Sequence, residues 1–210
     1  MKNTLNQVVL LVDMDGVLAD YYGHFCNVFK KLHPEVQIIE PHDLSTFCIE
    51  DAYPLEYKKE IRRICCDTGF FETMPPVEGA VEAFKALLED ERFNVRICTA
   101  PELEFTNQNC FSEKARWIEN HLGLAALERT IITKDKTLIY GNYLIDDKPE
   151  IKGSYTPYWT QIVFNHGYNK DLPREEFPFR LYGWKYFFYL GEELVELHRE
   201  NLDYFMKKET

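Results

Sequence analysis

The sequence predicts an α/β fold in which helices flank a parallel β-sheet and a small helical cap follows the first strand. Three observations predict it. Short apolar runs recur along the chain, segments with helical periodicity separate most of them, and one long connection interrupts the alternation. Alternating strands and helices are typical of a layered domain with right-handed crossovers.

Five apolar runs are the predicted strands. Most of them lack polar alternation and are bounded by turn or charged residues, which is typical of strands buried on both faces of a parallel sheet. The runs are VVLLV at Val8 to Val12, VRIC at Val95 to Cys98, TIIT at Thr130 to Thr133, YLI at Tyr143 to Ile145 and QIVF at Gln161 to Phe164.

Helical periodicity marks the segments between and after these runs. Apolar residues fall on one face in EGAVEAFKALLED and again in EKARWIENHLG, which ends at Gly123, a natural helix stop. The C-terminal stretch WKYFFYLGEELVELHRENLDYF predicts a long amphipathic helix.

The connection from Asp20 to Pro76 is too long to be a loop without structure of its own. It contains helix-like stretches and many aromatic residues, and it therefore predicts a small helical cap over the end of the first strand. The predicted division is a core of residues 1–19 and 77–210 and a cap of residues 20–76.

Composition limits the partners. The chain has 24 Lys and Arg against 35 Asp and Glu residues, and its net charge of -11 opposes broad attraction to nucleic acid or an anionic membrane. No apolar stretch approaches the roughly 20 residues that span a bilayer, and the polar start MKNTLNQ is too short for a signal peptide. The six cysteines form no CxxC pair. We therefore expect reduced thiols, a cytoplasmic location, no nucleic-acid polymer and no membrane partner.

Polar residues follow four of the predicted strands, at the point where each strand ends. Ligands of open α/β sheets bind outside the carboxyl ends of the strands, so these residues form the candidate site. They are Asp13, Asp15 and Asp20 after the first run, Thr99 after the second, Lys134, Asp135 and Lys136 after the third, and Asp146 and Asp147 after the fourth.

These groups suit phosphoryl transfer. A carboxylate can attack phosphorus and hold the phosphoryl group as a mixed anhydride; Asp13 is the candidate nucleophile and Asp15 the general acid and base. A hard cation with oxygen ligands, such as Mg2+, offsets the negative charge, and Thr99 and Lys136 are candidates to stabilise the transition state. Taken alone, DMDG is also compatible with a turn whose carboxylates cap backbone amides.

The segments DMDGV, ICTAP, TKDKT and LIDDKPE resemble the ordered motifs of the haloacid-dehalogenase (HAD) superfamily. Within it the chain resembles the 5'(3')-deoxyribonucleotidases of the cytosolic and mitochondrial pyrimidine type. The resemblance extends to GFFETMPPVEGAVEAF, EKARWIENHLG and RLYGWKYF, and so covers nearly the whole chain. It implies a HAD-like, Rossmann-like sheet with the cap as the pocket for the nucleotide base.

The resemblance also implies roles for the site residues. Asp13 is the nucleophile, Asp15 the acid and base, and Thr99 and Lys136 are phosphate ligands. Mg2+ is held by Asp13, by Asp147 and by the main-chain carbonyl of Asp15. Asp146 orients water or supports Lys136. It is also the alternative carboxylate ligand, because the sequence does not separate it from Asp147. Lys134 is the alternative to Lys136, which aligns with the phosphate lysine of the family.

Departures from the family fall mainly in the predicted cap. Tyr21 and Phe47 occupy positions where the family uses aromatic rings to sandwich a pyrimidine. Cys48 and Cys65 stand where the mammalian enzymes carry Trp, and Ala100 stands where the family often has Ser. Because stacking on an aromatic ring contributes about 1 to 3 kcal/mol per base, these changes bear on affinity and base preference.

The expected function is hydrolysis of deoxyribonucleoside monophosphates. Two alternatives stay open: a phosphatase of sugar or cofactor monophosphates, and a non-catalytic nucleotide-binding module that kept the fold. The preferred base and sugar, the choice between 5' and 3' phosphates, and pairing of the chain as a homodimer also stay open.

Overall fold

The computed structural model describes residues 6–102 and 109–208 and contains a six-stranded, fully parallel β-sheet. Residues 1–5 of the polar start lie outside the described residues. In spatial order the strands are β3-β2-β1-β4-β5-β6. Their bounds are β1 Val8–Val12, β2 Phe93–Thr99, β3 Thr130–Ile132, β4 Tyr143–Asp146, β5 Thr160–Phe164 and β6 Phe179–Leu181.

Strand β1 lies between β2 and β4 and fixes the register at the centre of the sheet. Val12 pairs with Ile97 of β2 and with Ile145 of β4. The three apolar side chains that end β1 have no exposed surface, because helices cover both faces of a parallel sheet. The carboxyl ends of three strands therefore meet at one edge, directly before Asp13.

All five predicted strands are confirmed, with small changes at their ends. β2 begins at Phe93, two residues before the predicted start, and β3 ends at Ile132, one residue early. Strand β6, Phe179–Leu181, is not among the predicted strands. Three residues between a proline and a glycine-containing turn give too little pattern to identify an edge strand.

The predicted helices are also present. The helices after residue 76 are α4 Ala80–Glu89, α5 Cys110–Leu122, α6 Leu124–Leu127 and α7 Phe187–Lys208. Phe84 and Leu87 of α4 are buried, as the periodicity predicts. Helix α5 ends at Leu122 and is followed by Gly123, whose φ of 89° is a positive value that glycine adopts at low cost.

The connection between β1 and α4 is helical. It contains α1 Tyr21–Leu32, α2 Ile49–Ala52 and α3 Lys58–Cys65. The Asp20 side chain accepts a hydrogen bond from the Gly23 amide and so caps α1. Buried aromatic rings of Tyr22, Phe25, Phe29 and Tyr53 pack against one another inside this layer. The division of the chain into core and cap stays a prediction.

Helix α5 is hydrogen-bonded to the segment that connects α3 to α4. The buried Glu113 carboxylate accepts hydrogen bonds from the backbone amides of Gly69 at 2.8 Å and Phe71 at 3.2 Å. The indole of Trp117 donates to the Met74 carbonyl at 2.7 Å. A buried carboxylate is stable here because backbone donors replace its water.

All six cysteines are free thiols. Among the described residues, no helix combines the length and the apolar composition needed to cross a membrane.

The Glu113 contacts give a stability prediction. Glu113→Gln leaves one acceptor oxygen for two backbone donors and turns an amide group towards one of them. We expect the free energy of unfolding to fall by about 1 to 3 kcal/mol, measured by chemical denaturation. Glu119→Gln, at an exposed position of the same helix, is the matched control and should change stability little. Equal stabilities of the two variants would contradict this role of Glu113.

Candidate active site

A cleft of about 400 Å³ opens at the carboxyl edge of the sheet, between the strand ends and the helices α1 to α3. Strand β1 delivers Asp13 and Asp15 to it, and β4 delivers Asp146 and Asp147. Lys136 reaches it from a short helical turn, Lys136–Leu138, after β3. The structure therefore brings together candidate residues from three separate segments.

Three carboxylates form a buried cluster at the base of the cleft. One oxygen from each of Asp13, Asp146 and Asp147 lies within 4.8 Å of the others. The Lys136 ammonium contacts two of them, at 2.8 Å from Asp13 Oδ1 and 2.6 Å from Asp146 Oδ2. Three carboxyl groups thus face one ammonium, and the cluster has the hard oxygen donors that a divalent cation requires.

Burial and like charges shift the pKa values in this cluster. Burial raises the pKa of Asp147 well above its usual range, and the neighbouring Asp146 and Asp13 raise it further. For Lys136, burial opposes the charged form, but Asp13 and Asp146 outweigh it and the pKa is raised. Lys136 is therefore a permanent cation at the cleft.

Asp15 lies beside a second buried cation, Lys114 of α5. The Lys114 ammonium donates to Asp15 Oδ2 at 2.5 Å, to Thr99 Oγ1 at 3.0 Å and to the Ala100 carbonyl at 2.6 Å. Burial raises the pKa of Asp15 despite this ion pair. A raised pKa suits a carboxyl that gives and takes a proton.

Lys114 is not among the site residues predicted from the sequence. It stands in EKARWIENHLG next to Glu113, and both side chains are fully buried in α5. A pair of charged residues on the buried side of an amphipathic helix is the signal that marks it. Thr99, a predicted phosphate ligand, is also fully buried, with its hydroxyl oxygen accepting from Lys114.

Gly16 permits the close approach of β1 and β4 at this site. Its φ is 73°, and a Cβ atom added there would lie 2.5 Å from Asp147 Oδ2. The position therefore excludes a side chain for two reasons, the left-handed backbone and the contact with the carboxylate.

A short helical turn after β5, Gly167–Asn169, is hydrogen-bonded to Asp147. The Tyr168 phenol donates to Asp147 Oδ2, and Asn169 Nδ2 donates to the Asp147 carbonyl at 2.8 Å. His166 Nε2 donates to the Gly16 carbonyl at 2.7 Å. These three residues are not among those predicted from the sequence, because no motif or periodicity distinguishes the segment HGYN from an ordinary loop.

The predicted base-binding residues line the same cleft. Tyr21 and Phe47 both line it, together with Cys48 and Cys65. The Tyr21 ring packs edge-on against Phe70, with 5.4 Å between centroids. Phe47 is 40% exposed. Lys134, the alternative phosphate lysine, also lines the cleft and is exposed.

Comparison with known proteins identifies similar chains. A family profile described as "5' nucleotidase, deoxy (Pyrimidine), cytosolic type C protein" matches residues 6–185. A putative 5'(3')-deoxyribonucleotidase of Bordetella bronchiseptica is 41% identical over 164 residues, which cover 78% of this chain and 87% of that protein. The human cytosolic-type 5'(3')-deoxyribonucleotidase is 34% identical over 181 residues, which cover 84% of this chain and 89% of that protein. The human mitochondrial 5'(3')-deoxyribonucleotidase is 36% identical over 180 residues, which cover 83% of this chain and 78% of that protein.

Solved structures with low sequence identity share the fold. A HAD family hydrolase from Deinococcus radiodurans, solved with bound phosphate and sodium, aligns with a TM-score of 0.55 at 13% identity, covering 90% of this chain and 97% of that chain. A HAD-superfamily hydrolase from Geobacter sulfurreducens aligns with a TM-score of 0.51 at 11% identity, covering 88% and 96%. The expected HAD-like, Rossmann-like architecture is thereby confirmed.

Proposed function

Since the chain belongs to the 5' nucleotidase, deoxy (pyrimidine), cytosolic type C family, we propose that it hydrolyses deoxyribonucleoside monophosphates with Mg2+ through an aspartyl-phosphate on Asp13. The chain is a phosphoric monoester hydrolase, a 5'(3')-deoxyribonucleotidase of the HAD superfamily. The observation that carries the mechanism is the meeting of Asp13, Asp15 and Lys136 in one cleft beside a cluster of buried carboxylates.

The first step transfers the phosphoryl group to the protein. The Asp13 carboxylate attacks phosphorus, and the bond from phosphorus to the nucleoside oxygen breaks. Asp15, whose pKa burial raises, protonates that oxygen as it leaves. The products are the free nucleoside and a mixed anhydride between Asp13 and phosphate.

The second step releases the phosphate. Water attacks phosphorus in the mixed anhydride, Asp15 now takes the proton from that water, and the anhydride bond to Asp13 breaks. Asp15 thus returns to its protonated form and Asp13 to its ionised form. The Lys114 ammonium, 2.5 Å from Asp15 Oδ2, stabilises the ionised form that Asp15 passes through between the two steps.

Two groups of the chain are suited to stabilise the charge on the non-bridging phosphate oxygens. Lys136 carries a permanent charge and lies 2.8 Å from Asp13 Oδ1, close to where the phosphoryl group arrives. Thr99 accepts a hydrogen bond from Lys114, which leaves its hydroxyl proton to be donated to a phosphate oxygen.

Mg2+ suits the carboxylate cluster, and when bound it offsets the repulsion between the Asp13 carboxylate and the phosphate dianion. We propose Asp13, Asp147 and the main-chain carbonyl of Asp15 as its protein ligands. Asp146 accepts from Lys136 at 2.6 Å and from the Lys148 amide at 2.9 Å, contacts that favour a role in positioning Lys136. Asp146 remains the alternative metal ligand.

The base is proposed to lie between Tyr21 and Phe47, beneath the helices of residues 20–76, which we propose form the cap. A nucleoside monophosphate is therefore the proposed partner. The named cytosolic-type human relative supports a cytoplasmic location.

A second substrate class, other small phosphate monoesters, is favoured by one observation. The cleft is lined by the small side chains of Cys48 and Cys65 at two positions of the proposed base pocket. A thiol offers less stacking surface than an aromatic ring, so discrimination by the base is reduced.

A substrate panel with one variant tests the proposed function. With Mg2+, the wild-type protein should release phosphate from deoxyribonucleoside monophosphates faster than from phosphosugars. Asp13→Asn should lower kcat on the order of 10⁴-fold or more while equilibrium binding of the nucleotide persists. The exposed Asp43→Asn is the matched control and should retain activity. Equal turnover of phosphosugars would overturn the nucleotide assignment, and full activity of Asp13→Asn would overturn the covalent mechanism.

The two roles of Asp15 give a prediction that depends on the leaving group. Asp15→Asn should lower kcat for a nucleotide by about 100- to 10,000-fold, because the departing alkoxide needs a proton. With p-nitrophenyl phosphate, whose leaving group needs none, the same variant should give a rapid burst of p-nitrophenolate and then slow turnover, because the second step still lacks its base. Rapid-quench kinetics measures both. An equal loss of kcat for the nucleotide and for p-nitrophenyl phosphate, without a burst of p-nitrophenolate, would contradict the acid and base roles of Asp15.

A further inference from the structure

We infer that Tyr168 is a positioning residue that orients the Asp147 carboxylate for the metal ion and joins it to the Phe47 wall of the substrate pocket. The inference rests on the proposed metal-dependent mechanism and assigns a role to a residue outside its reacting groups. Two parts of one side chain carry the two functions, the hydroxyl and the ring.

The hydroxyl restricts the carboxylate. Tyr168 donates to Asp147 Oδ2, the oxygen that would also meet a Cβ atom at Gly16 at 2.5 Å. Asp147 Oδ2 therefore accepts a hydrogen bond from the phenol and lies close to Gly16, where there is no room for a side chain. A carboxylate with one oxygen fixed in this way has lost the rotation that would otherwise oppose metal binding.

The backbone that carries Tyr168 is fixed relative to Asp147. The buried Asn169 amide donates to the carbonyls of Asp147 and Phe164, each at 2.8 Å, and its oxygen accepts from the His166 amide at 2.9 Å. The short turn is therefore hydrogen-bonded to the ends of both β4 and β5. Tyr168 approaches Asp147 from a rigid support rather than from a loose loop.

The ring reaches from this support to the substrate pocket. The Tyr168 ring stacks on the His166 ring, with 5.2 Å between the ring centroids and 9° between the ring planes. Another contact is with Phe47, edge-on at 5.6 Å, and Phe47 in turn lies 5.6 Å from the Lys148 ammonium. Phe47 comes from the connection before α2, so Tyr168 touches both the metal-binding side and the base-binding side of the cleft.

Two substitutions separate the hydroxyl from the ring. Tyr168→Phe removes the hydrogen bond to Asp147 and keeps the ring against Phe47. Tyr168→Leu removes both. The exposed Tyr158→Phe is the matched control, because its phenol lies on the surface.

The experiment measures binding of Mn2+ alone to each purified protein by electron paramagnetic resonance of the free ion, with Mg2+ as competitor. Tyr168→Phe should bind Mn2+ about 10- to 100-fold more weakly than the wild type and Tyr158→Phe. At limiting Mg2+ its turnover of the nucleotide should fall with the metal affinity, and added Mg2+ should restore part of that loss. Tyr168→Leu should also lower kcat/KM for the nucleotide more than for p-nitrophenyl phosphate, which has no nucleobase.

The outcomes distinguish the inference from the function on which it rests. Equal Mn2+ affinity of Tyr168→Phe and the wild type would overturn the role of the hydroxyl. An equal loss of kcat/KM for both substrates in Tyr168→Leu would overturn the link through the ring to Phe47. Failure of the wild-type protein to bind Mn2+ would instead overturn the proposed metal dependence.

Discussion

Three carboxylates buried within 4.8 Å of one another are the constraint on which the rest of the site depends. Like charges in a buried place repel, and each raises the pKa of its neighbours unless a cation offsets them. Lys136 contacts Asp13 and Asp146, while Asp147 is held by Tyr168. The carboxylates are therefore kept together by fixed partners, and their remaining negative charge favours a divalent cation beside a phosphate.

A further partner of the site residues, Lys114, comes from a segment distant in the chain. Lys114 comes from a helix far from Asp15 in sequence, and its ammonium links Asp15 to Thr99. Its neighbour Glu113 accepts hydrogen bonds from the backbone amides of Gly69 and Phe71, in the segment between α3 and α4. One turn of α5 thus fixes both the acid and base of the proposed mechanism and the attachment of the proposed cap.

Much of this could be predicted from sequence because its signals are local. Apolar runs mark the strands, and polar residues directly after them mark the edge where Asp13, Lys136 and Asp147 meet. Lys114 could have been predicted from its place beside Glu113 on the buried side of a helix, although its partners Asp15 and Thr99 are distant in the chain. The role of Tyr168 depends on contacts between distant segments, which no local period encodes. β6 was missed for a different reason: three edge residues are too few to show alternation. The roles of Tyr21 and Phe47 rest on family resemblance and on their place in the cleft.

The most direct test of the covalent mechanism is the stereochemical course at phosphorus. A nucleoside phosphorothioate made chiral with oxygen isotopes would be hydrolysed in isotopically labelled water, and the configuration of the released thiophosphate determined. Transfer of the phosphoryl group to Asp13 followed by attack of water comprises two in-line displacements, and each of them inverts the configuration at phosphorus. Overall retention of configuration is the predicted result. Overall inversion would mean that water attacks the substrate directly, and it would contradict an aspartyl-phosphate intermediate.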